Sequence, residues 1–332
     1  MVFAKLMLYW SDARRNRHAT GKLAARPGSA PFLARRALHC SDHGAVGRPA
    51  DPETAPIDRQ EARLPALEFT VENNIATLLL NRPEAKNALN AEISDGLEAA
   101  LLNISADREI RAVIISGAGG AFCAGGDVRA MNANAGEMTA EVRRASMQRH
   151  HRNVKLLAAL DRPVIAAVDG AAFGAGFSLA LLADMVIATP RARFCMAFAR
   201  IGLIPDYGAL YTLPRIVGMA RAKEIMFSAR EIGAVEARDL GLVLEIAEVD
   251  ALMPRALALA AALAKASPLA LSLTKSALNS SLGSDLATIL DIEASGQGIA
   301  GASDYAKESF RRFAAREPAR FVWPASGAAQ DK

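Results

Sequence analysis

Cysteine is scarce, with only Cys40, Cys123 and Cys195 in 332 residues. Three scattered cysteines exclude a disulfide framework and a cysteine-based metal knuckle, and they point to a reducing compartment. No run of about 18 apolar residues escapes a charge, a glycine or a proline, so no spanning helix is expected. Internal repeats and low-complexity tracts are missing too. Acidic residues are rare at the start: residues 1–50 hold nine Lys/Arg but only Asp12 and Asp42 as acids. That segment carries more than the whole net charge of +4, and the remaining body is slightly acidic. The sequence pI of about 9.1 therefore describes the leader and gives no warrant for a nucleic-acid surface on the body.

What is present is ordinary for a folded domain: 52% hydrophobic and 22% charged residues, values that exclude wholesale disorder and a collagen-like fibre. The length fits about two domains, or one large domain with a tail. Residues 1–65 show no sustained period and are expected to be a disordered or targeting extension. An Arg-rich, acid-poor start reads either as a mitochondrial transit peptide or as an untidy extension. The expected localisation is cytoplasmic, or the mitochondrial matrix if residues 1–50 are a transit peptide.

From residue 66 the texture changes. Phe69-Thr70-Val71 and Ile75 to Leu80 predict two strands joined by a hairpin at Glu72-Asn73-Asn74. Ile93, Leu97, Leu101 and Ile104 recur at helical spacing behind Asn90, a candidate N-cap. Buried strands are predicted at 112–116, 163–168 and 185–188, with helices between them, which indicates parallel βαβ units. From about residue 250 onward the pattern is all helical, with breaks at Pro268 and Asp285.

Two glycine-rich turns follow buried strands: Gly117-Ala118-Gly119-Gly120 through Asp127, and Gly170-Ala171-Ala172-Phe173-Gly174-Ala175-Gly176. Neither is a P-loop, because no Gly-Lys-Ser/Thr follows, and no G-x-G-x-x-G opens the first strand–helix turn. Unpaired backbone N–H groups at such turns can face an anion or a polarised carbonyl. One N–H from each turn would make an oxyanion hole; otherwise the glycines simply let strands and helices pack closely.

The segments Asn81-Arg82-Pro83-Glu84-Ala85-Lys86-Asn87-Ala88-Leu89-Asn90, Phe122-Cys123-Ala124-Gly125-Gly126-Asp127 and Pro163 to Gly170, in that order, resemble the crotonase superfamily of enoyl-CoA hydratases and isomerases. Ile201-Gly202-Leu203-Ile204-Pro205, the stretch from Ala234 to Val243, and Phe310-Arg311-Arg312-Phe313 agree, so the resemblance covers about residues 66–322. It implies an α/β crotonase (ClpP-like) spiral core of ββα units over 66–255, a C-terminal helical oligomerisation arm over 256–322 and a tail over 323–332. It also implies an acyl-CoA thioester substrate, a role in fatty acid metabolism, and a homotrimer or hexamer. Coenzyme A would enter only as part of the substrate, with no separate cofactor, metal, nucleic acid or membrane.

Carried over residue by residue, the resemblance places the oxyanion hole at the N–H groups of Gly126 and Ala175. Contacts to coenzyme A would fall to Arg82, Lys86, Asn87, Ala88 and Ala124, and Arg311, Arg312 and Arg316 would approach the nucleotide or simply form a charged helix face. Hydratases of the family use two glutamates, and this chain has Ser178 and Phe198 at those places. A hydroxyl without a base, and a phenyl ring, do not activate water. The remaining carboxylate is Asp206, in an Ile-Pro-Asp segment that resembles the branch of CoA isomerases working with one aspartate. An apolar wall of Phe173, Phe198 and Leu203 would raise its pKa toward neutrality. The competing role for Asp206 is a turn residue capping a helix that starts near Tyr207. Tyr207 itself reads as pocket filler or hydrogen-bond donor, and Ser178 as pocket lining. His150 and His151 read as surface or subunit-contact residues. The expected activity is double-bond isomerisation with Asp206 as proton shuttle; the alternatives are a hydratase with non-standard residues and a non-catalytic relative that binds acyl-CoA or RNA.

Overall fold

The computed structural model describes residues 65–133 and 139–325. The expected extension over 1–65 lies outside the described residues, save for Pro65, as does most of the tail. The first hairpin joins β1 (Leu67–Glu72) to β2 (Ile75–Leu80) through Asn73 and Asn74, both in the left-handed region. Asparagine tolerates that conformation better than most residues. A 3-10 turn at Pro83–Ala85 leads to α1 (Ala91–Ala106), capped by the Asn90 side chain, which accepts from the Ile93 N–H. Next come β3 (Ala112–Gly117), α2 (Val128–Ala133), α3 (Ala140–Ala158) and β4 (Val164–Val168). The short elements β5 (Ala171–Phe173), α4 (Ala175–Ala180), β6 (Met185–Ala188) and β7 (Arg193–Cys195) complete the middle of the chain.

Beyond them lie α5 (Ala209–Val217), α6 (Met219–Ser228), β8 (Glu231–Gly233), α7 (Ala234–Asp239) and β9 (Glu245–Ile246). The main sheet has the order β1-β2-β3-β4-β6-β9, parallel apart from the β1–β2 hairpin. A second sheet, β5-β7-β8, packs three short strands of three residues each.

The central strands are buried on both faces, as parallel strands covered on both sides require. Val113 and Ile115 of β3 and Val164, Ala166 and Val168 of β4 join one core, with Ile93, Leu97 and Leu101 of α1. Ala112, Ile114, Ile165 and Ala167 face the other way, against Leu252, Ala256, Leu259 and Leu263 of α8 (Leu252–Lys265). The core therefore runs through Leu263, past the expected boundary at 255.

The last three helices, α9 (Pro268–Ser281), α10 (Leu286–Gly301) and α11 (Asp304–Ala314), bury no residue in the single chain. They expose Leu278, Leu286, Phe310 and Phe313, the last at 86%. No single helix among the described residues is long and apolar enough to cross a membrane.

Candidate functional site

The two glycine turns follow the carboxyl ends of the neighbouring strands β3 and β4 and are stitched together. The Cys123 N–H donates to Ala171 O at 2.9 Å, and the Phe173 N–H donates back to Cys123 O at 2.9 Å. Glycine is required where they touch: a Cβ on Gly176 would stand 2.2 Å from Cys123 O, and one on Gly125, at φ +97°, 2.8 Å from Phe173 O. Gly126 and Ala175 each lie three residues beyond the Cys123–Ala172 bridge. Among the described residues, neither of their N–H groups donates a hydrogen bond. A pair of unspent donors, one on each of two contacting turns, is the arrangement an oxyanion hole needs.

The loop from Arg82 to Asn90 braces the first turn. The Ala124 N–H donates to Lys86 O at 2.9 Å and the Leu89 N–H to Gly125 O at 2.7 Å. Asn87, fully buried, accepts from the Arg82 N–H at 2.8 Å and donates to Ala118 O and Ala121 O at 2.8 and 2.7 Å. Arg82 donates to Ala88 O at 2.8 Å and pairs with Asp127 at 3.2 Å. The side chains of Arg82 and Asn87 thus hold the loop. Lys86 is exposed, at φ +49°, and forms no ion pair among the described residues. Ala88 is buried behind it. Near the C-terminus Arg311 is held by Glu308 and Glu317, and Arg312 by Glu308. Two of the three expected nucleotide arginines are therefore already paired.

Asp206 sits in the turn before α5. Its backbone carbonyl accepts from the Ala209 N–H at 3.1 Å, but no side chain caps α5, whose N-cap is Gly208. Asp206 is thus not a capping residue. Its Oδ1 is buried and has no hydrogen-bond partner among the described residues, and burial pushes the carboxyl up to about 6. The expected apolar wall is only partly there: Phe198 is buried, near Gly174, but Leu203 is 48% exposed and Phe173 is half-buried with the Arg193 guanidinium 5.8 Å from its ring. Ser178 is buried and its Oγ donates to Gly174 O at 3.1 Å, a bond back to its own helix.

Tyr207 takes φ +54°, a conformation costly for a bulky residue and characteristic of functional turns. Burial, with smaller contributions from the neighbouring Cys123 and Asp206, pushes its phenol up to about 12, against a lowering contribution from Asn153. Its side chain packs against α3 through Asn153 and His150. Cys123 is itself buried and pushed up to about 12, a thiol and not a thiolate.

The His150 ring centroid lies 6.1 Å from that of Tyr207, and Nδ1 is 3.3 Å from Ser94 Oγ. It is half-buried, and desolvation lowers its pKa; of the two expected readings, surface or subunit contact, the single chain excludes the first for His150. Sequence reasoning also missed Asn153 and Ser94. Asn153 and Leu157 are the only residues that α3 buries, and a polar residue one helical turn from a buried leucine was the available signal.

A separate groove of about 560 Å³, lined by Arg111, Lys265, Tyr305 and Arg320 among others, opens by the amino end of β3. Ligand sites of parallel sheets lie at the carboxyl ends of the strands, where the glycine turns are.

This fold, with two unspent amides on contacting turns, defines a crotonase-type protein. The chain matches the enoyl-CoA hydratase/isomerase family over residues 70–323 and belongs to it. It is 37% identical over 252 residues to the 1,2-epoxyphenylacetyl-CoA isomerase of Escherichia coli, covering 76% of this chain and 96% of that one. It is 34% identical over 252 residues to the crotonyl-CoA hydratase of Syntrophomonas wolfei, covering 76% and 95%. The crystal structure of an enoyl-CoA hydratase/isomerase from Cupriavidus metallidurans shares 42% identity and superposes with a TM-score of 0.75, covering 79% of this chain and 98% of that one.

Proposed function

We propose that this protein moves a double bond in an acyl-CoA thioester through an enolate. The N–H groups of Gly126 and Ala175 take the thioester oxygen as charge develops there, each donor lowering the barrier by about 3 kcal/mol. The Asp206 carboxylate removes a proton from carbon 2 of a 3-enoyl thioester, the electron pair moves through the dienolate, and the same group returns the proton to carbon 4. The product is the 2-enoyl thioester, with no water consumed.

The observation that carries this reading is the buried, unpartnered Asp206 Oδ1 with a carboxyl near 6. Such a group is ionised at neutral pH yet close enough to neutrality to give a proton back. Water addition in the manner of two glutamates has no support from Ser178, whose hydroxyl is spent on Gly174, or from Phe198. The coenzyme A arm follows the Lys86–Ala88 loop and the turn at Ala124, with Lys86, which forms no ion pair among the described residues, as a cation for a phosphate. The exposed leucines and phenylalanines of α9–α11 support assembly into a homotrimer or hexamer.

The test is a 3-enoyl-CoA and its 2-enoyl isomer in deuterated buffer, followed by mass and by absorbance. Bond migration lost in Asp206→Asn is the expected result. Water addition that survives in this variant assigns a hydratase using other residues, and coenzyme A binding without any turnover assigns a silent relative.

A further inference from the structure

The groove at the amino end of β3 has no part in the reaction proposed above. Arg111 immediately precedes β3 and Gly117 ends it, so about 20 Å of strand separates the groove from the first glycine turn. Its walls come from distant stretches of the chain. Glu109 and Arg111 lie between α1 and β3, and Lys265 ends α8. Tyr305, Arg312 and Arg320 belong to α11 and the segment after it.

Charge sets this groove apart. Four cations line it against one acid, Glu109, on a body that is slightly acidic as a whole. Arg312 is held in part by Glu308, at 2.8 Å. The side chains of Arg111, Lys265 and Arg320 make no hydrogen bond or ion pair among the described residues. Elsewhere Arg162, Arg230, Arg255 and Lys275 each have a carboxylate. Like charges gathered without a counter-charge repel, and an anion between them relieves that cost.

Two features aim the charge into the cavity. The Arg320 guanidinium carbon lies 4.4 Å from the centroid of the Tyr305 ring, whose hydroxyl donates to Lys265 O at 3.0 Å. An arginine stacked by its face keeps its in-plane N–H donors open for a pair of anionic oxygens. Pro268, the first residue of α9, also lines the groove, so the positive end of that 14-residue helix opens there.

We propose that this groove binds a compact polyanion, the diphosphate or triphosphate group of a small molecule, at a site separate from that of the thioester. Magnitudes select the class. One solvent-exposed ion pair is worth at most about fivefold in affinity, so a monophosphate that touches one or two cations stays weak. A diphosphate or triphosphate reaches several at once, and a cavity of about 560 Å³ has room for it. Pyrophosphate and nucleotides share that chemistry. Because the groove joins α11 to the core, its occupant also ties down an arm whose helices α9–α11 bury no residue of their own. The site does not depend on which reaction the glycine turns perform.

The experiment is titration calorimetry of the purified full chain at fixed ionic strength, with pyrophosphate, ADP and inorganic phosphate as probes. Saturable binding of pyrophosphate or ADP is expected, at least about tenfold tighter than that of inorganic phosphate, together with a rise in melting temperature. Equal affinity for pyrophosphate and ADP assigns the site to phosphate charge alone. ADP tighter by about tenfold or more assigns a nucleotide. Lys265→Gln should weaken pyrophosphate about fivefold and Arg320→Gln about tenfold. Melting of the ligand-free chain should not move with Lys265→Gln, because that side chain bonds nothing in the fold. Lys86→Gln should leave the pyrophosphate affinity unchanged.

No saturation of pyrophosphate or ADP by about 10 mM, or an affinity that Lys265→Gln and Arg320→Gln both keep, overturns the site. Pyrophosphate binding lost with Lys86→Gln and kept in the two groove variants overturns it too, and assigns the anion to the loop that meets coenzyme A.

Discussion

The loop from Arg82 to Asn90, which braces the first glycine turn, and the turn from Leu203 to Gly208, which leads into α5, treat polar atoms in opposite ways. In the loop, Asn87 uses its oxygen once and its nitrogen twice, and Arg82 is tied to Ala88 and Asp127, with only Nε left over. In the turn, Asp206 buries an oxygen with no hydrogen-bond partner among the described residues, and Tyr207 beside it holds a left-handed backbone. The side chains of Arg82 and Asn87 are scaffold, because their hydrogen bonds are spent inside the loop and its neighbouring turn. An unsaturated turn costs stability, and a site is the usual reason a fold keeps it.

The sharpest break of that comparison is Asp206→Asn, which should lower turnover by about 10³-fold if the carboxylate is the base. The same change should raise stability. The folded carboxyl, near 6, lies above its ordinary 3.8, so ionisation opposes folding. That penalty is fully present above about pH 6 and disappears below about pH 4. Its upper bound is about 3 kcal/mol at neutral pH, less in practice because the group is not fully enclosed. Melting curves of the two proteins should separate at pH 7 and converge near pH 4. In the unmutated enzyme kcat/KM should fall about tenfold per pH unit below 6, since the base must be ionised.

Asn87→Leu strikes the saturated side. It would orphan the Arg82 N–H and the carbonyls of Ala118 and Ala121 in a fully buried place. A loss of about 3 kcal/mol or more in unfolding free energy is expected, read by denaturant titration. An unchanged midpoint would mean that the loop is not the scaffold described.

How much of this was legible in the sequence follows the range of each interaction. The strands at 112–117, 164–168 and 185–188, the Asn90 cap and the Asn73-Asn74 hairpin are local patterns, and each stands where its residues put it. The raised pKa of Asp206 was foreseen in direction, although part of the expected apolar wall stands exposed. The small sheet β5-β7-β8 was not seen, because three-residue strands carry too short a period to read. The hydrogen bonds of Arg82 and Asn87 and the cluster of Ser94, His150 and Asn153 depend on partners 5 to 59 residues away, whereas Arg311 and Arg312 pair with Glu308 three and four residues away, a local pattern that went unread. Helix α3 is strongly polar in sequence, and only tertiary packing makes one of its polar faces a wall.

A smaller effect tests the contact between the two glycine turns. With Gly176→Ala a methyl group would meet the Cys123 carbonyl at 2.2 Å, so the turns must separate by about 1 Å to reach ordinary contact. A stability cost of about 1–3 kcal/mol is expected. A fall in kcat of about tenfold should accompany it, because misplaced amides lose transition-state contacts before they lose binding. Loss of stability with kcat intact would show that the two N–H groups do not act together.

The smallest effects divide the cations. Arg82→Gln removes the pair with Asp127 and the bond to Ala88, and should cost about 1–2 kcal/mol of stability while leaving the salt dependence of KM alone. Lys86→Gln touches nothing inside the fold and should do the reverse. Melting stays put, KM rises about threefold, and its dependence on ionic strength weakens, because an exposed lysine on a phosphate is worth little and is screened by salt. Were Arg82 the phosphate contact, the two variants would exchange these signatures: the salt slope would move with Arg82→Gln and hold with Lys86→Gln. A side chain cannot fully serve the loop and the ligand at once, and the guanidinium is already engaged by Asp127 at 3.2 Å.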